Sequence, residues 1–87
     1  MEIKDKIIQL ISIRTNLKIE NIFESSFLVN DLCLDSVDLV DFSIDLEEVF
    51  NIKVNGIEIE QFDNFGTVEN VIEFVFKKLN GTIKRKF

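Results

Sequence analysis

The chain of 87 residues carries a net charge of −6, contains one cysteine and lacks histidine. A chain of this length forms one small domain with a shallow core. The missing histidine excludes His-based catalytic triads and the usual metal clusters. The lone cysteine excludes an internal disulfide and suits a reducing, cytoplasmic setting.

Charge is distributed unevenly along the chain. Residues 1–76 hold five basic and sixteen acidic residues, a net charge of −11. Such a charge repels nucleic acid and anionic membranes and attracts basic protein surfaces. The N-terminal segment MEIKDKIIQLISIR is interrupted by charges and predicts neither a signal peptide nor a membrane span. The last eleven positions hold five of the ten basic residues: Lys77, Lys78, Lys84, Arg85 and Lys86.

The first predicted helix covers residues 3–15, where Ile3, Ile7, Leu10 and Ile11 share one helical face. Residues 16–35 have no period and predict a long loop. We expect the apolar residues of this loop to anchor it to the core. They are Leu17, Ile19, Ile22, Phe23, Phe27, Leu28, Leu32 and Leu34.

A second helix is predicted from Ser36 to Phe50. Asp35 is a suitable N-cap, Asp38 completes a capping box, and Asn51 can end the helix in the left-handed conformation. The expected core stripe of this helix consists of Leu39, Phe42, Leu46, Val49 and Phe50.

The segment 52–66 is ambiguous. The alternation in IKV and IEIE around Asn55-Gly56 is typical of a β-hairpin. Because an isolated hairpin is marginally stable, we predict instead a short helix around Ile57–Phe62.

Thr67 is predicted to cap a last helix, which Asn80-Gly81 ends. Its apolar stripe consists of Val68, Val71, Ile72, Val75 and Leu79. The expected fold is all-α: a small bundle of three main helices plus a short extra helix, with a long loop after the first helix. Residues 1–80 form the domain, and residues 81–87 form a flexible basic tail.

The second helix carries two further groups of side chains beside its core stripe. The acidic face consists of Asp38, Asp41, Asp45 and Glu48, and the apolar strip beyond it consists of Val37, Val40 and Ile44. Many charged faces are only solvated. Here no Lys or Arg occurs between Lys18 and Lys53, and neighbouring like charges on a helix are unfavourable. This pattern favours a recognition surface for a basic partner.

Ser36 has two interpretations. Serine is common at helix starts, so capping alone explains it. With Asp35 as the cap, however, the hydroxyl is free at the positive end of the helix dipole, where a phosphate ester would be stabilised. No base is available to make it an enzyme nucleophile, so Ser36 is a better attachment point than a catalyst.

The segment SSFLVNDLCLDSVDLVDFSIDLEEVFNIKV, residues 25–54, resembles acyl carrier proteins in the order of its parts. The Asp-Ser-hydrophobe tripeptide alone is weak evidence for this family. The upstream Asp-Leu, the acidic helix and the domain length make the resemblance specific. The resemblance covers residues 1 to about 80. Its parts are Phe27, Asp31-Leu32, Asp35-Ser36-Val37, the helix end Leu46-Glu47-Glu48-Val49-Phe50, and Ile52 with Val54.

The resemblance implies a non-catalytic, monomeric carrier in fatty-acid synthesis. Ser36 would bear 4′-phosphopantetheine, transferred from coenzyme A by a phosphopantetheinyl transferase that recognises Asp35. The thiol of that arm would hold acyl groups as thioesters. Basic patches on partner enzymes would contact the acidic face, and the apolar strip would make the apolar contacts. Candidates for the lining of an acyl pocket, each also a core residue, are Phe42, Leu46, Phe62 and Val68.

Three features depart from the family pattern. Cys33 stands where the family usually has glycine, three residues before the serine. Asp45 replaces a small apolar residue and enlarges the acidic face. The segment GIEIEQFDNFG is long for the third helix of the family, which affects the shape of the pocket.

Other functions stay open. Within the fold, an aminoacyl or peptidyl carrier, such as one that loads D-alanine, is the nearest alternative. A helical adaptor that is never modified would use the acidic face without Ser36. The spacing of the acids does not match an EF-hand loop, although weak divalent-ion binding would relieve their repulsion.

Overall fold

The computed structural model describes residues 3–84, without the side chains of residues 63–65 and 81–84. A long loop containing a 3₁₀ turn at Ile19–Asn21 follows the first helix. This arrangement confirms the predicted all-α fold. The α-helices of the described part are α1 (Ile3–Thr15), α2 (Ser36–Phe50), α3 (Gly56–Phe65) and α4 (Val68–Lys84).

The bounds of α1 and α2 agree with the prediction. Asn51 ends α2 in the left-handed conformation, with φ 57° and ψ 50°. Helix α1 packs against both α2 and α4. Since Lys6 lies over the Phe50 ring at 5.9 Å and Arg14 contacts Asp45, α1 runs antiparallel to α2.

The ambiguous segment forms a helix, as predicted. Asn55 is its N-cap: the Asn55 Oδ1 accepts from the Glu58 N–H, and the Glu58 Oε1 accepts from the Asn55 N–H, each at 2.9 Å. This capping box starts a helix at the dipeptide that otherwise suggests a hairpin turn. Helix α3 continues past the predicted end at Phe62 to Phe65.

The cap of α4 is confirmed, but its predicted end is wrong. The Thr67 Oγ1 accepts from the Asn70 N–H at 3.2 Å, and the Asn70 Oδ1 accepts from the Thr67 N–H at 3.0 Å. The helix continues through Asn80-Gly81 to Lys84, since glycine inside a helix costs only about 1 kcal/mol. The predicted flexibility of residues 81–87 stays a prediction, since residues 85–87 lie outside the described part.

One core joins the helices and the loop. Val49, predicted to belong to it, is 42% exposed, because it lies at the border between the core stripe and the acidic face. Phe50, Ile72 and Leu79 are partly buried against the core. The buried members are Ile7, Ile8, Ile11, Ile22, Leu28, Leu32, Leu34, Leu39, Phe42, Leu46, Phe62, Val68, Val71 and Val75.

The long loop is held by part of its predicted anchors and by its backbone. The Leu28 N–H donates to the Gly66 carbonyl and the Val68 N–H to the Ser26 carbonyl, both at 3.0 Å. These bonds tie the loop to the junction of α3 and α4. Ile22, Leu28, Leu32 and Leu34 are buried and Leu17 is partly buried, as predicted, whereas Ile19, Phe23 and Phe27 are exposed and do not act as anchors.

Candidate functional site

Asp35, rather than Ser36, caps helix α2. The Asp35 Oδ1 accepts from the Asp38 N–H at 2.8 Å, and the Asp38 Oδ2 accepts from the Asp35 N–H at 3.2 Å. This reciprocal pair is the predicted capping box. The cap therefore does not require the hydroxyl of Ser36.

Ser36 is exposed at the first position of α2. Within the described part of the chain, no hydrogen bond engages its hydroxyl. The N–H groups of the first helical turn have no intrahelical acceptors, and the helix dipole is positive there. The site can therefore present a nucleophilic oxygen to an approaching enzyme and hold a negatively charged ester afterwards.

The turn before Ser36 is fixed from both sides. Leu32 and Leu34 are buried in the core. Between them, the Cys33 N–H donates to the Val29 carbonyl, and the Leu34 N–H donates to the Leu28 carbonyl, both at 3.0 Å. These contacts hold the turn against the core, so that Asp35 and Ser36 lie at the surface in a fixed position.

The apolar strip of α2 faces outward, as predicted. Val37, Val40 and Ile44 are 67%, 45% and 46% exposed, whereas Leu39, Phe42 and Leu46 on the same helix are buried. Ser36 and the strip therefore share the exposed side of α2. Glu48 is exposed and forms no ion pair within the described residues.

Arg14 of α1 lies against the acidic face, a feature that the sequence reasoning missed. Its Nη2 donates to the Asp45 Oδ2 at 2.8 Å, and its Nη1 lies 3.6 Å from the Asp41 Oδ2. The hydrogen bond with Asp45 raises the pKa of Arg14. Desolvation opposes this rise, and the negative charges of Asp45, Asp41 and Asp38 add to it. The acidic face is thus partly neutralised from within the domain.

The four candidates for an acyl pocket meet in the core. Phe42, Leu46, Phe62 and Val68 are all buried members of the same cluster. The ring of Phe62 also packs edge-on against Phe74, with centroids 5.2 Å apart. The burial of the four candidates in one cluster confirms the core role that the sequence predicts for them. Their role in sheltering an acyl chain stays a prediction.

A surface cavity of about 320 Å³ lies between α3 and α4. Phe62 lines it, but Phe42, Leu46 and Val68 do not. Its lining mixes charged, amide and aromatic groups and does not resemble the apolar lining that an acyl chain requires. The lining residues are Gln61, Phe62, Gly66, Asn70, Glu73, Phe74 and Lys77.

Among the side chains that the structure describes, those of residues 3–62 and 66–80, no group of three or more Asp, Glu or Cys could hold a metal ion. Within residues 3–84, none of the helices combines the length and apolar character needed to cross a membrane.

Similarity to known proteins shows which family the chain belongs to. No protein-family model matches it. It is 33% identical over 78 residues to an acyl carrier protein of Thermotoga maritima, a match that covers 90% of this chain and 93% of the relative. It is 37% identical over 73 residues to an acyl carrier protein of Wolinella succinogenes, covering 84% and 96%. The chain belongs to the acyl carrier protein family. An acyl carrier protein of Cyanidium caldarium is 33% identical over 79 residues, covering 91% and 88%.

The backbone at Cys33 has a conformation that favours glycine. Cys33 has φ 61°, in the left-handed region. Glycine, which the resemblance implies at this position, adopts this region without strain, whereas a side chain with a Cβ does not. Cys33 therefore adopts this turn at a cost in stability, and its thiol is exposed.

We expect Cys33→Gly to stabilise the domain by about 0.5–1 kcal/mol, because the relief of left-handed strain exceeds the added entropy of the unfolded chain. The melting temperature should rise by a few degrees, measurable by circular dichroism. Cys33→Ala is the matched control: it removes the thiol, keeps the Cβ and should give no such rise. Equal stabilisation by both variants would show that the gain does not come from relief of the left-handed backbone at Cys33.

Proposed function

We propose that this acyl carrier protein carries acyl groups as thioesters on a 4′-phosphopantetheine arm at Ser36 and presents them to enzymes of fatty-acid synthesis. The observation that carries the proposal is the Ser36 hydroxyl, which is exposed and engaged by no hydrogen bond in the described residues. It begins helix α2, where Asp35 already supplies the cap. Membership of the acyl carrier protein family supports the same role.

The attachment step suits the surroundings of Ser36. Its oxygen attacks the pantetheine-linked phosphorus of coenzyme A. A new O–P bond forms while the P–O bond to adenosine 3′,5′-bisphosphate breaks, and that bisphosphate leaves with the bond's electrons. The serine proton passes to a base of the transferase, since the chain has no histidine. Asp35 presents the hydroxyl by capping α2. The thiol of the attached arm supplies the thioester chemistry.

The exposed side of α2 is proposed as the docking surface for the transferase and the synthesis enzymes. The acidic face (Asp38, Asp41, Asp45 and Glu48) attracts basic patches and orients the encounter. The apolar strip (Val37, Val40 and Ile44) provides area to bury once the surfaces meet. The order of these groups along the helix, with Ser36 at one end, lets a partner contact the face and the arm together.

Glu48→Lys tests the docking surface, because Glu48 has no ion-pair partner in the described part of the chain and takes no part in a cap. Charge reversal should lower the kcat/KM of the transferase by about three- to tenfold at low salt, and less as salt is added. Glu73→Lys, on α4, is the control with the same change in net charge. An equal loss in both variants would contradict a localised docking surface.

We further propose that Phe42, Leu46, Phe62 and Val68 shelter the acyl chain. All four are buried in one apolar cluster, the environment in which a hydrocarbon chain is stabilised. Because the cluster is closely packed, entry of a chain requires these side chains to move apart.

The proposal is tested by the mass of the intact protein before and after incubation with coenzyme A and a broad-specificity phosphopantetheinyl transferase. One added phosphopantetheine is expected. The modified protein is then offered to a fatty-acid-activating ligase and to an amino-acid-activating ligase. Loading by the first supports an acyl carrier, loading only by the second an aminoacyl or peptidyl carrier, and failure of the first step an unmodified adaptor.

A further inference from the structure

Arg14 occupies the acidic face, although no basic residue occurs in the sequence of α2. It extends from the last turn of α1 and bridges Asp45 and Asp41 on successive turns of α2. Arg14 and Asp45 are both partly exposed, with 28% and 27% of their side chains accessible. A docking enzyme can therefore contact the Arg14 guanidinium as well as the carboxylates.

The Arg14 pair involves one of the four carboxylates of the acidic face. Asp45 contributes that carboxylate from the third turn of α2. The hydrogen bond at 2.8 Å pairs this charge within the domain. The pair as a whole therefore adds no net charge to the surface that a partner meets. Asp41 lies 3.6 Å from the same cation. Within the described residues this leaves Asp38, Glu48 and the apolar strip as the part of the exposed side without an ion pair.

We infer that Arg14 determines the specificity of docking by masking the centre of the acidic face; the inference rests on the proposed function. The partner that fits this surface has cations opposite the two ends of α2, near Asp38 and Glu48, and an apolar patch opposite the strip. An enzyme whose cations concentrate opposite Asp41 and Asp45 meets Arg14 and binds less tightly, since like charges across an interface are unfavourable.

We expect Arg14 to act in docking and to contribute little to the stability of the fold. A partly exposed ion pair contributes little to stability because solvent screens it, while α1 is held by buried Ile7 and Ile11. Removal of the guanidinium should therefore leave the fold intact and increase the negative charge of the docking surface by one unit.

The test measures binding, without coenzyme A, between a basic phosphopantetheinyl transferase and Ser36→Ala protein, so that no modification occurs. In this background, Arg14→Gln should bind about two- to fivefold more tightly at low salt, the effect of one charge at contact distance in water. The gain should vanish at high salt. Arg14→Lys, which keeps the charge, should bind like the parent.

Two further variants complete the test. Lys77→Gln, on α4, changes the net charge equally and should leave binding unchanged. The double variant Arg14→Gln/Asp45→Asn restores the net charge and should lose most of the gain. Unchanged or weaker binding of Arg14→Gln, or an equal gain in Lys77→Gln, would overturn the masking role alone. Failure of every protein to bind would instead count against the proposed function and the inference with it.

Discussion

Ser36→Ala is expected to abolish the attachment of phosphopantetheine completely, since alanine offers no oxygen for the new O–P bond. The fold should be unaffected. The hydroxyl makes no hydrogen bond within the described residues, and Asp35 caps the helix. Surface substitutions of this kind change stability by less than about 0.5 kcal/mol. Intact mass measures the modification, and a thermal melt measures the stability.

Ser25→Ala is the matched control, because Ser25 is also exposed but lies in the loop after α1. It should be modified as completely as the wild type. Modification of Ser36→Ala at the wild-type rate would move the attachment point to another residue. Loss of modification in both variants would show that the effect is not specific to the start of α2.

Phe42→Ala is expected to lower the free energy of unfolding by about 3–5 kcal/mol, through the lost burial of the ring and the cavity that it leaves. Phe42 is 1% exposed and belongs to the buried core. Small domains have total stabilities of about 5–15 kcal/mol, so the loss is a large share. Urea denaturation followed by circular dichroism measures it.

Two variants on the same helix serve as controls for Phe42→Ala. Val37→Ala removes apolar atoms from the exposed strip and should change stability by less than about 0.5 kcal/mol. Phe42→Leu keeps most of the apolar volume and should cost less than Phe42→Ala. A loss below about 1 kcal/mol in Phe42→Ala would show that the ring lines open space instead of a packed core.

The parts of the structure that local chemistry determines could be predicted from the sequence. Asp35 with Asp38, and Thr67 with Asn70, form bonds over three residues, so the helix starts are visible in short segments of sequence. The apolar spacing of α2 likewise separates Leu39 and Phe42 from the exposed strip. The proposed attachment point rests on the same local evidence, since Asp35 supplies the cap and no hydrogen bond engages the Ser36 hydroxyl within the described residues.

The parts that depend on tertiary contacts could not be predicted. Arg14 reaches Asp45 across 31 positions of sequence, and only the antiparallel packing of α1 and α2 brings them together. Phe23 and Phe27 are exposed because backbone hydrogen bonds, rather than their rings, hold the loop. Side-chain hydrophobicity carries no information about those bonds.

The central claim is the position of the arm, which fragmentation of the modified protein by tandem mass spectrometry tests most directly. Cleavage after Glu24 and Glu47 gives a fragment, residues 25–47, that contains Ser25, Ser26, Ser36 and Ser43. Every fragment ion containing Ser36 should carry the phosphopantetheine mass or its characteristic loss. Ions with the other serines alone should be unmodified. Phosphopantetheine on another serine, or a fragment that is never modified, would contradict the claim.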